Sequence, residues 1–98
     1  MATSAVYVFA RWKVKEGKME DVLRLLLSLR TQTQAEKGNL FYTICQDNAD
    51  RHTLLLSEGY SNSEAQQAHV NSDHYKKLAA GGIVALLDER EVFLTTPL

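Results

Sequence analysis

The chain has 98 residues, of which 45% are hydrophobic and 23% charged, and its eleven basic and twelve acidic side chains leave a net charge of −1. This composition is typical of a single globular domain over residues 1–98 and excludes a disordered chain. Without a basic excess we expect no nucleic-acid partner, and without an apolar run near the ~20 residues of a membrane helix we expect no membrane insertion.

The compartment is predicted from the cysteine and from the first residues. Cys45 is the single cysteine, so it can form no disulfide within the chain, which suits a reducing compartment. The stretch "MATSAVYVFARWK" has no basic segment before its apolar residues and enters a strand pattern directly. We therefore expect no signal peptide and a soluble, cytoplasmic protein.

Strand and helix signals follow one another in the order β-α-β-β-α-β. Alternating or β-branched runs predict strands, and 3.6-residue periodicity predicts helices. Gly38-Asn39 is expected to end the first helix with a positive φ, Ser61 and Glu64 to form a capping box, and the second helix to be interrupted near Asn71-Ser72. The predicted strands are 6–14, 40–47, 53–60 and 91–97, the helices are 19–37 and 64–80, and 83–90 is ambiguous.

This order predicts a ferredoxin-like α+β fold, a four-stranded antiparallel sheet with two helices on one face. Residue parity, however, makes both faces of the sheet apolar. Tyr7, Phe9, Phe41 and Leu55 point away from the face that the helices cover. An exposed apolar patch of this kind marks an interface, so we predict a homodimer that packs sheet to sheet.

His69 and His74 are the residues of the second helix that could transfer protons or bind a metal ion. Five residues separate them, about 140° around an ideal helix, so we expect the rings to point apart and form no metal site. His69 shares the inner face with Ala65 and Ala68, where it is either a hydrogen-bonded residue at the core edge or a group in a pocket. His74 follows Ser72-Asp73, which could cap a new helical turn.

Glu58 is in phase with Leu54 and Leu56 and should point inward, towards His69. A buried carboxylate must find a partner or take a proton. It is therefore either a carboxyl group that faces a cavity and orients the imidazole, or an edge residue with a surface partner. Trp12, Tyr42 and Tyr60 share the inward phase, as core residues or as the aromatic walls of a pocket.

The stretches "KGNL" (37–40), "EGY" (58–60) and "SEAQQAHVNSDHY" (63–75) resemble the antibiotic biosynthesis monooxygenase (ABM) family, and the resemblance spans nearly the whole chain. It implies the dimeric α+β barrel, in which homodimers join through their sheets and each protomer has a pocket between sheet and helices. Glu58, Tyr60, His69 and His74 occupy the motif positions, with Tyr75 as the aromatic residue after the second histidine.

The resemblance implies several reactions. The heme-degrading branch is disfavoured, because the positions that match its asparagine and its histidine ligand are Ala10 and Ala79. The branch of isomerases that process autoinducer-2 is a closer rival. It is similar to this chain at the residues Gly38, Asn39, Leu40, Gln46, Asp47, Glu58, Tyr60, His69, His74, Tyr75 and Lys76.

The leading hypothesis is a monooxygenase without cofactor or metal that acts on a small aromatic substrate, such as a quinol, and on O₂. His69 would accept the proton with Glu58 orienting it and His74 as a further catalytic candidate, and Trp12, Tyr42, Tyr60 and Tyr75 would contact the substrate. The alternatives are an isomerase, for which Arg11 or Lys76 could bind a phosphate, and a dimeric module that binds a small ligand without catalysis.

Overall fold

Four strands form one antiparallel sheet in the order β2-β3-β1-β4, in a computed structural model that describes residues 4–98. The predicted α+β fold with its ferredoxin-like βαββαβ order is confirmed. The strands are β1 (Val6–Val14), β2 (Asn39–Gln46), β3 (Thr53–Tyr60) and β4 (Leu87–Thr95). The helices are α1 (Met19–Gln34) and α2 (Ser63–Val70), followed by a π-helical segment (Tyr75–Ala80) and a 3₁₀ turn (Ile83–Leu86).

The helices cover one face of the sheet, which we call the inner face. Every second residue of β1 from Val8 to Val14 is buried there, because alternate side chains of a strand point to opposite faces. Residues of α1 at helical spacing pack against them in one core. This core also includes Leu54 and Leu56 from β3, Val22, Leu26 and Leu29 from α1, and Ile83 from the 3₁₀ turn.

The opposite face, the outer face, carries exposed apolar side chains. The ring of Tyr7 meets that of Phe41 edge to face, with centroids 5.0 Å apart. Phe41 lies across Gly59, where a Cβ atom would come within 2.2 Å of the phenyl ring. Three large side chains of this face are about half exposed, namely Phe9 (44%), Leu55 (42%) and Phe93 (53%). The expected outer apolar patch therefore exists, and Phe93 of β4 extends it.

Cys45 also belongs to the outer face. It pairs with Leu55 across β2 and β3 and is exposed, with a free thiol. No helix among residues 4–98 is both long enough and apolar enough to cross a membrane.

The ends of several elements differ from the predictions. Helix α1 ends at Gln34 with Ala35 as its C-cap, and Gly17, not Gly38, is the glycine with positive φ. Asn62 caps α2 by accepting a hydrogen bond of 2.8 Å from the backbone N–H of Ala65, so the predicted capping box is wrong. Asparagine is as good an N-cap as serine, and its side-chain oxygen takes the free N–H of Ala65 one residue beyond the one that the predicted box would use. Strand β4 begins at Leu87, four residues earlier than predicted.

Candidate active site

A cavity of about 150 Å³ lies between the inner face of the sheet and the helical layer. Its walls are mainly apolar, with a carboxyl group, an imidazole, an amide and a guanidinium among them. The residues that line it are Val8, Ala10, Trp12, Leu29, Tyr42, Glu58, Gln66, His69, Val70, Tyr75, Ala79, Arg90, Val92 and Leu94. Apolar walls with a few polar groups are typical of small-molecule sites.

Strand β3 directs Glu58 into this cavity. Glu58 is buried between its cross-strand neighbours Val8 of β1 and Tyr42 of β2, as strand parity predicts. The hydroxyl of Tyr60 donates a hydrogen bond of 2.6 Å to Oε1 of Glu58. Burial raises the pKa of the Glu58 carboxyl, while the Tyr60 hydroxyl and the nearby His69 lower it in part.

His69 faces Glu58 from helix α2. Its side chain is buried, and its Nε2 lies 3.7 Å from Oε1 of Glu58. The imidazole is held between two aromatic rings, with centroid distances of 5.1 Å to Tyr60 and 5.1 Å to Tyr75. The separation of 3.7 Å is too long for a direct hydrogen bond, so a ligand hydroxyl could contact both groups. The predicted inward placement of both residues is found.

His74 lies on the far side of His69, outside the cavity. The two imidazole centroids are 6.1 Å apart, so the expectation that the rings point apart is wrong. Helix α2 ends at Val70, and the hydroxyl of Ser72 donates to the carbonyl of His69 and accepts from the N–H of Tyr75. This break, expected near Asn71-Ser72, cancels the 140° rotation that a continuous helix would impose.

Glu36, which the sequence patterns did not indicate, joins the two histidines. Its Oε2 is 2.8 Å from Nδ1 of His69 and 2.5 Å from Nε2 of His74. Glu36 lies in the loop after α1, where no periodicity predicts the direction of a side chain. Its position one residue before the "KGNL" stretch is the one sequence signal that could have drawn attention to it.

Glu36, His69 and His74 are also the residues that could hold a metal ion, because their donor atoms lie within 4.8 Å of one another. A Zn²⁺ ion lies about 2.0–2.2 Å from each ligand, which in a tetrahedral site separates neighbouring donor atoms by roughly 3.4 Å. The observed distances of 2.8 and 2.5 Å are those of hydrogen bonds. The donor atoms would have to move apart to bind a cation.

Three of the four predicted aromatic contact residues, Trp12, Tyr42 and Tyr75, line the cavity. Tyr60 does not; it is fully buried behind Glu58 and acts as a hydrogen-bond donor. Burial raises the pKa of both Tyr42 and Tyr60, and the carboxylate of Glu58 adds to each shift. Both phenols therefore keep their protons across the physiological pH range.

Trp12 brings an unpaired donor to the site. Among the described residues, its indole Nε1 is the buried side-chain atom without a hydrogen-bond partner. A buried N–H that lacks a partner costs about 1–3 kcal/mol. A ligand oxygen or a water molecule in the cavity is the kind of group that would satisfy it.

Arg90 is the cation at the cavity, and the sequence analysis did not single it out. Its Nη2 donates a hydrogen bond of 3.2 Å to the hydroxyl of Tyr75, and no salt bridge joins it to a carboxylate within residues 4–98. The predicted alternatives lie elsewhere. Arg11 pairs with Glu89 and Glu91 at 3.7 and 3.2 Å, and Lys76 is not among the lining residues.

One comparison with known proteins identifies a family. The family model described as "Antibiotic biosynthesis monooxygenase" matches residues 5–81. A search of curated proteins gave no match.

Solved structures share the whole fold. The structure of Rv0793 from Mycobacterium tuberculosis is 29% identical, with a TM-score of 0.90 over 97% of this chain and 96% of that one. A conserved protein from Methanosarcina mazei Go1 is 26% identical, with a TM-score of 0.89 over 95% and 92% of the two chains. A structure named as an antibiotic biosynthesis monooxygenase is 23% identical, with a TM-score of 0.87 over 95% and 98%, and shows the likeness of fold alone.

Proposed function

Because the chain belongs to the antibiotic biosynthesis monooxygenase family, we propose that it is a cofactor-independent monooxygenase that oxidises a small, electron-rich aromatic compound such as a quinol. The observation that carries this proposal is the cavity in which the buried side chains of Glu58 and His69 face the same space. An apolar cavity of about 150 Å³ is large enough for one benzene ring. The volume thus favours a monocyclic substrate.

The proposed reaction needs no external reductant. A quinol and O₂ give a hydroxyquinone and one water, so the substrate itself supplies the four electrons that reduce O₂. His69 takes the proton of a substrate hydroxyl at Nε2, and the resulting anion is electron-rich enough to pass an electron to O₂. One oxygen atom forms a bond to the ring, and the other leaves as water.

The cavity walls support this chemistry in two ways: apolar side chains exclude water, and a few polar groups can stabilise charge. Val8, Leu29 and Ala79 exclude water from the anion. The N–H of Trp12 and the guanidinium of Arg90 are donors that could stabilise negative charge on a substrate oxygen. Glu58 lies 3.7 Å from Nε2 of the imidazole, so a substrate hydroxyl between the two groups could pass a proton from one to the other.

Oxygen consumption with a panel of monocyclic quinols tests the proposal. We expect wild-type protein to consume O₂ and His69→Gln to be slower by about 10²–10⁴-fold, the contribution typical of a general base. His52→Gln, at a histidine of the β2–β3 turn, is the matched control and should keep the wild-type rate. Equal rates for His69→Gln and wild type would contradict the proposed role of His69.

An isomerase that uses the same proton transfers is the second candidate, and Arg90 is the observation that favours it. A phosphorylated or carboxylated substrate needs a cation, and Arg90 provides one at the cavity wall. Turnover without oxygen distinguishes the two functions, since an isomerase keeps its rate under anaerobic conditions and a monooxygenase stops. The cavity argues against a module that only assembles, and turnover of any substrate would distinguish an enzyme from a module that binds a small ligand without catalysis.

We also propose that two copies pair through the outer face. The half-exposed Phe9, Leu55 and Phe93 form the apolar patch, and burial of such a patch is favourable at roughly 25 cal/mol per Å². A two-fold axis would place the patch of one copy against the same patch of the other.

A further inference from the structure

We propose that Glu36 is a positioning residue, which holds His69 in the tautomer that leaves Nε2 free to take a proton in the cavity, while His74 holds the carboxylate in place. The catalytic consequence rests on the proposed function. The tautomer itself is a property of the free protein and can be measured without a substrate.

The inference starts from the two ring nitrogens of His69. A neutral imidazole has one N–H donor and one nitrogen that accepts. Nδ1 lies 2.8 Å from Oε2 of Glu36, and an ionised carboxylate can only accept. Nδ1 therefore carries the hydrogen, and the lone pair of Nε2 faces the side of Glu58 and the cavity. A carboxylate that orients a catalytic imidazole in this way is a recurrent arrangement in enzymes.

Glu58 is less suited to orient His69, although the sequence suggested that role for it. Its Oε1 is 3.7 Å from Nε2, beyond hydrogen-bond distance, and already accepts a hydrogen bond from Tyr60. The two carboxyl groups thus have different tasks. Glu36 accepts the hydrogen bond of Nδ1, and Glu58 lies near Nε2 at the cavity.

The fold fixes the loop that carries Glu36. The loop packs directly on α2 at Gly38, where a Cβ atom would lie 2.4 Å from Cβ of Ala65. The N–H of Ser61 donates a hydrogen bond of 2.9 Å to the carbonyl of Gly38. Ala65 is one helical turn before His69, so this close contact brings the Glu36 side chain to the Nδ1 side of the ring.

His74 restricts the Glu36 side chain. Its Nε2 contacts the same Oε2 at 2.5 Å, so two ring nitrogens hold one oxygen between them. On its other side Glu36 borders an open groove with Lys37, Ser61, Asn62 and Glu64. Without His74 the flexible side chain could turn into that groove, and fixing it again would cost conformational entropy.

The test is the tautomer of His69, measured by long-range ¹H–¹⁵N NMR on protein with ¹⁵N-labelled histidine at about pH 8, where ordinary histidines are neutral. We expect the Nδ1–H form in wild type. Glu36→Ala should shift His69 towards the Nε2–H form, because Nδ1 then lacks its acceptor. Glu36→Gln keeps a carbonyl oxygen as acceptor and should largely restore the Nδ1–H form.

Glu64→Ala is the matched control, since this exposed carboxylate borders the same groove and should leave the tautomer unchanged. In steady-state kinetics Glu36→Ala should lower kcat by about 10–100-fold with little change in KM, because Glu36 does not line the cavity. Glu36→Gln should recover part of kcat.

An Nε2–H tautomer in wild type would overturn the proposal, and this measurement does not depend on whether a variant folds. The Nδ1–H form unchanged in a folded Glu36→Ala protein would overturn it equally. If the NMR results are as expected and wild type turns over no candidate substrate, the proposed function fails and the positioning role of Glu36 stands.

Discussion

Tyr60 donates a hydrogen bond of 2.6 Å to Oε1 of Glu58, two residues earlier on the same strand. The two side chains can meet because residues i and i+2 of a strand point to the same face. Tyr60 is fully buried, and burial together with the adjacent Glu58 raises the pKa of its hydroxyl. The hydroxyl therefore keeps its proton and remains a donor to the carboxyl group at the cavity.

Replacing Tyr60 with Phe removes this donor. The hydrogen bond lowers the pKa of Glu58, so we expect that pKa to rise further in Tyr60→Phe. The free energy of unfolding should fall by about 1–3 kcal/mol, the cost of leaving a buried polar group without its partner. Carboxyl ¹³C NMR titration and urea denaturation measure the two effects. Tyr7→Phe, on the outer face, is the control, and a Glu58 titration equal to that of wild type would contradict the prediction.

The charge of Glu58 should make the stability of the protein depend on pH. Burial raises the pKa of this carboxyl above its ordinary value of 4.5, so folding takes up a proton between that value and the raised one. The contribution of Glu58 to stability is therefore lost as the pH rises through this window. Glu58→Gln should match wild type near pH 4 and be relatively more stable near pH 7, by urea denaturation at each pH.

Asp50 should change the pH dependence of the free energy of unfolding in the opposite direction to Glu58. The N–H of His52 and the hydroxyl of Thr53 donate hydrogen bonds to it, and these lower its pKa below the ordinary 3.8. Its contribution is therefore present above that pH and lost as the pH falls. Asp50→Asn should be less stable than wild type at neutral pH, and the difference should shrink in acid. Parallel pH profiles for the two variants would refute both assignments.

Trp12→Phe tests the unpaired donor in the cavity. The buried N–H disappears, but the smaller phenyl ring leaves a void in the core, so we expect the free energy of unfolding to fall by less than the ~3–5 kcal/mol typical of truncating a buried Trp to Ala. If a ligand oxygen accepts from Nε1, KM should rise by about 5–10-fold, the effect of one lost hydrogen bond of roughly 1 kcal/mol. Thermal unfolding and steady-state kinetics measure these changes, and an unchanged KM would exclude the contact.

Phe93→Lys tests the pairing of two copies. Phe93 is 53% exposed, so the charge should leave the fold of one copy intact and oppose burial of the outer face. We expect wild type to be a dimer by light scattering at micromolar concentration and Phe93→Lys to be a monomer. Leu27→Lys, at a similarly exposed residue of α1 (45%), should remain a dimer. A wild-type monomer under these conditions would contradict the proposal.

The sequence predicted the fold and the direction of Glu58 because both follow from simple periodicity. Strand parity places Glu58 in phase with Leu54 and Leu56 and needs no knowledge of the loops. The helical pattern of α2 placed His69 on the inner face in the same way. These features depend on local spacing, which a single sequence contains.

The rest of the site depends on the direction of the backbone in loops and helix breaks, where no periodic pattern predicts it. The contact of Glu36 with His69 requires the loop to approach α2 at Gly38, a packing event between residues distant in sequence. His74 reaches the same carboxylate because the helix breaks at Ser72, and the rotation at a break cannot be counted from residue spacing. Arg90 lay in a segment with ambiguous periodicity, so its face on β4 could not be assigned.

The exposed Cys45 gives the outer face a single site for chemical labelling. It is the single thiol of the chain, and it lies beside Leu55 within the apolar patch. A fluorophore attached by maleimide chemistry would therefore report on that face alone. Pairing through this face should slow the labelling of Cys45. The labelling rate, measured over a range of protein concentrations, would therefore give the affinity of self-association without any substitution.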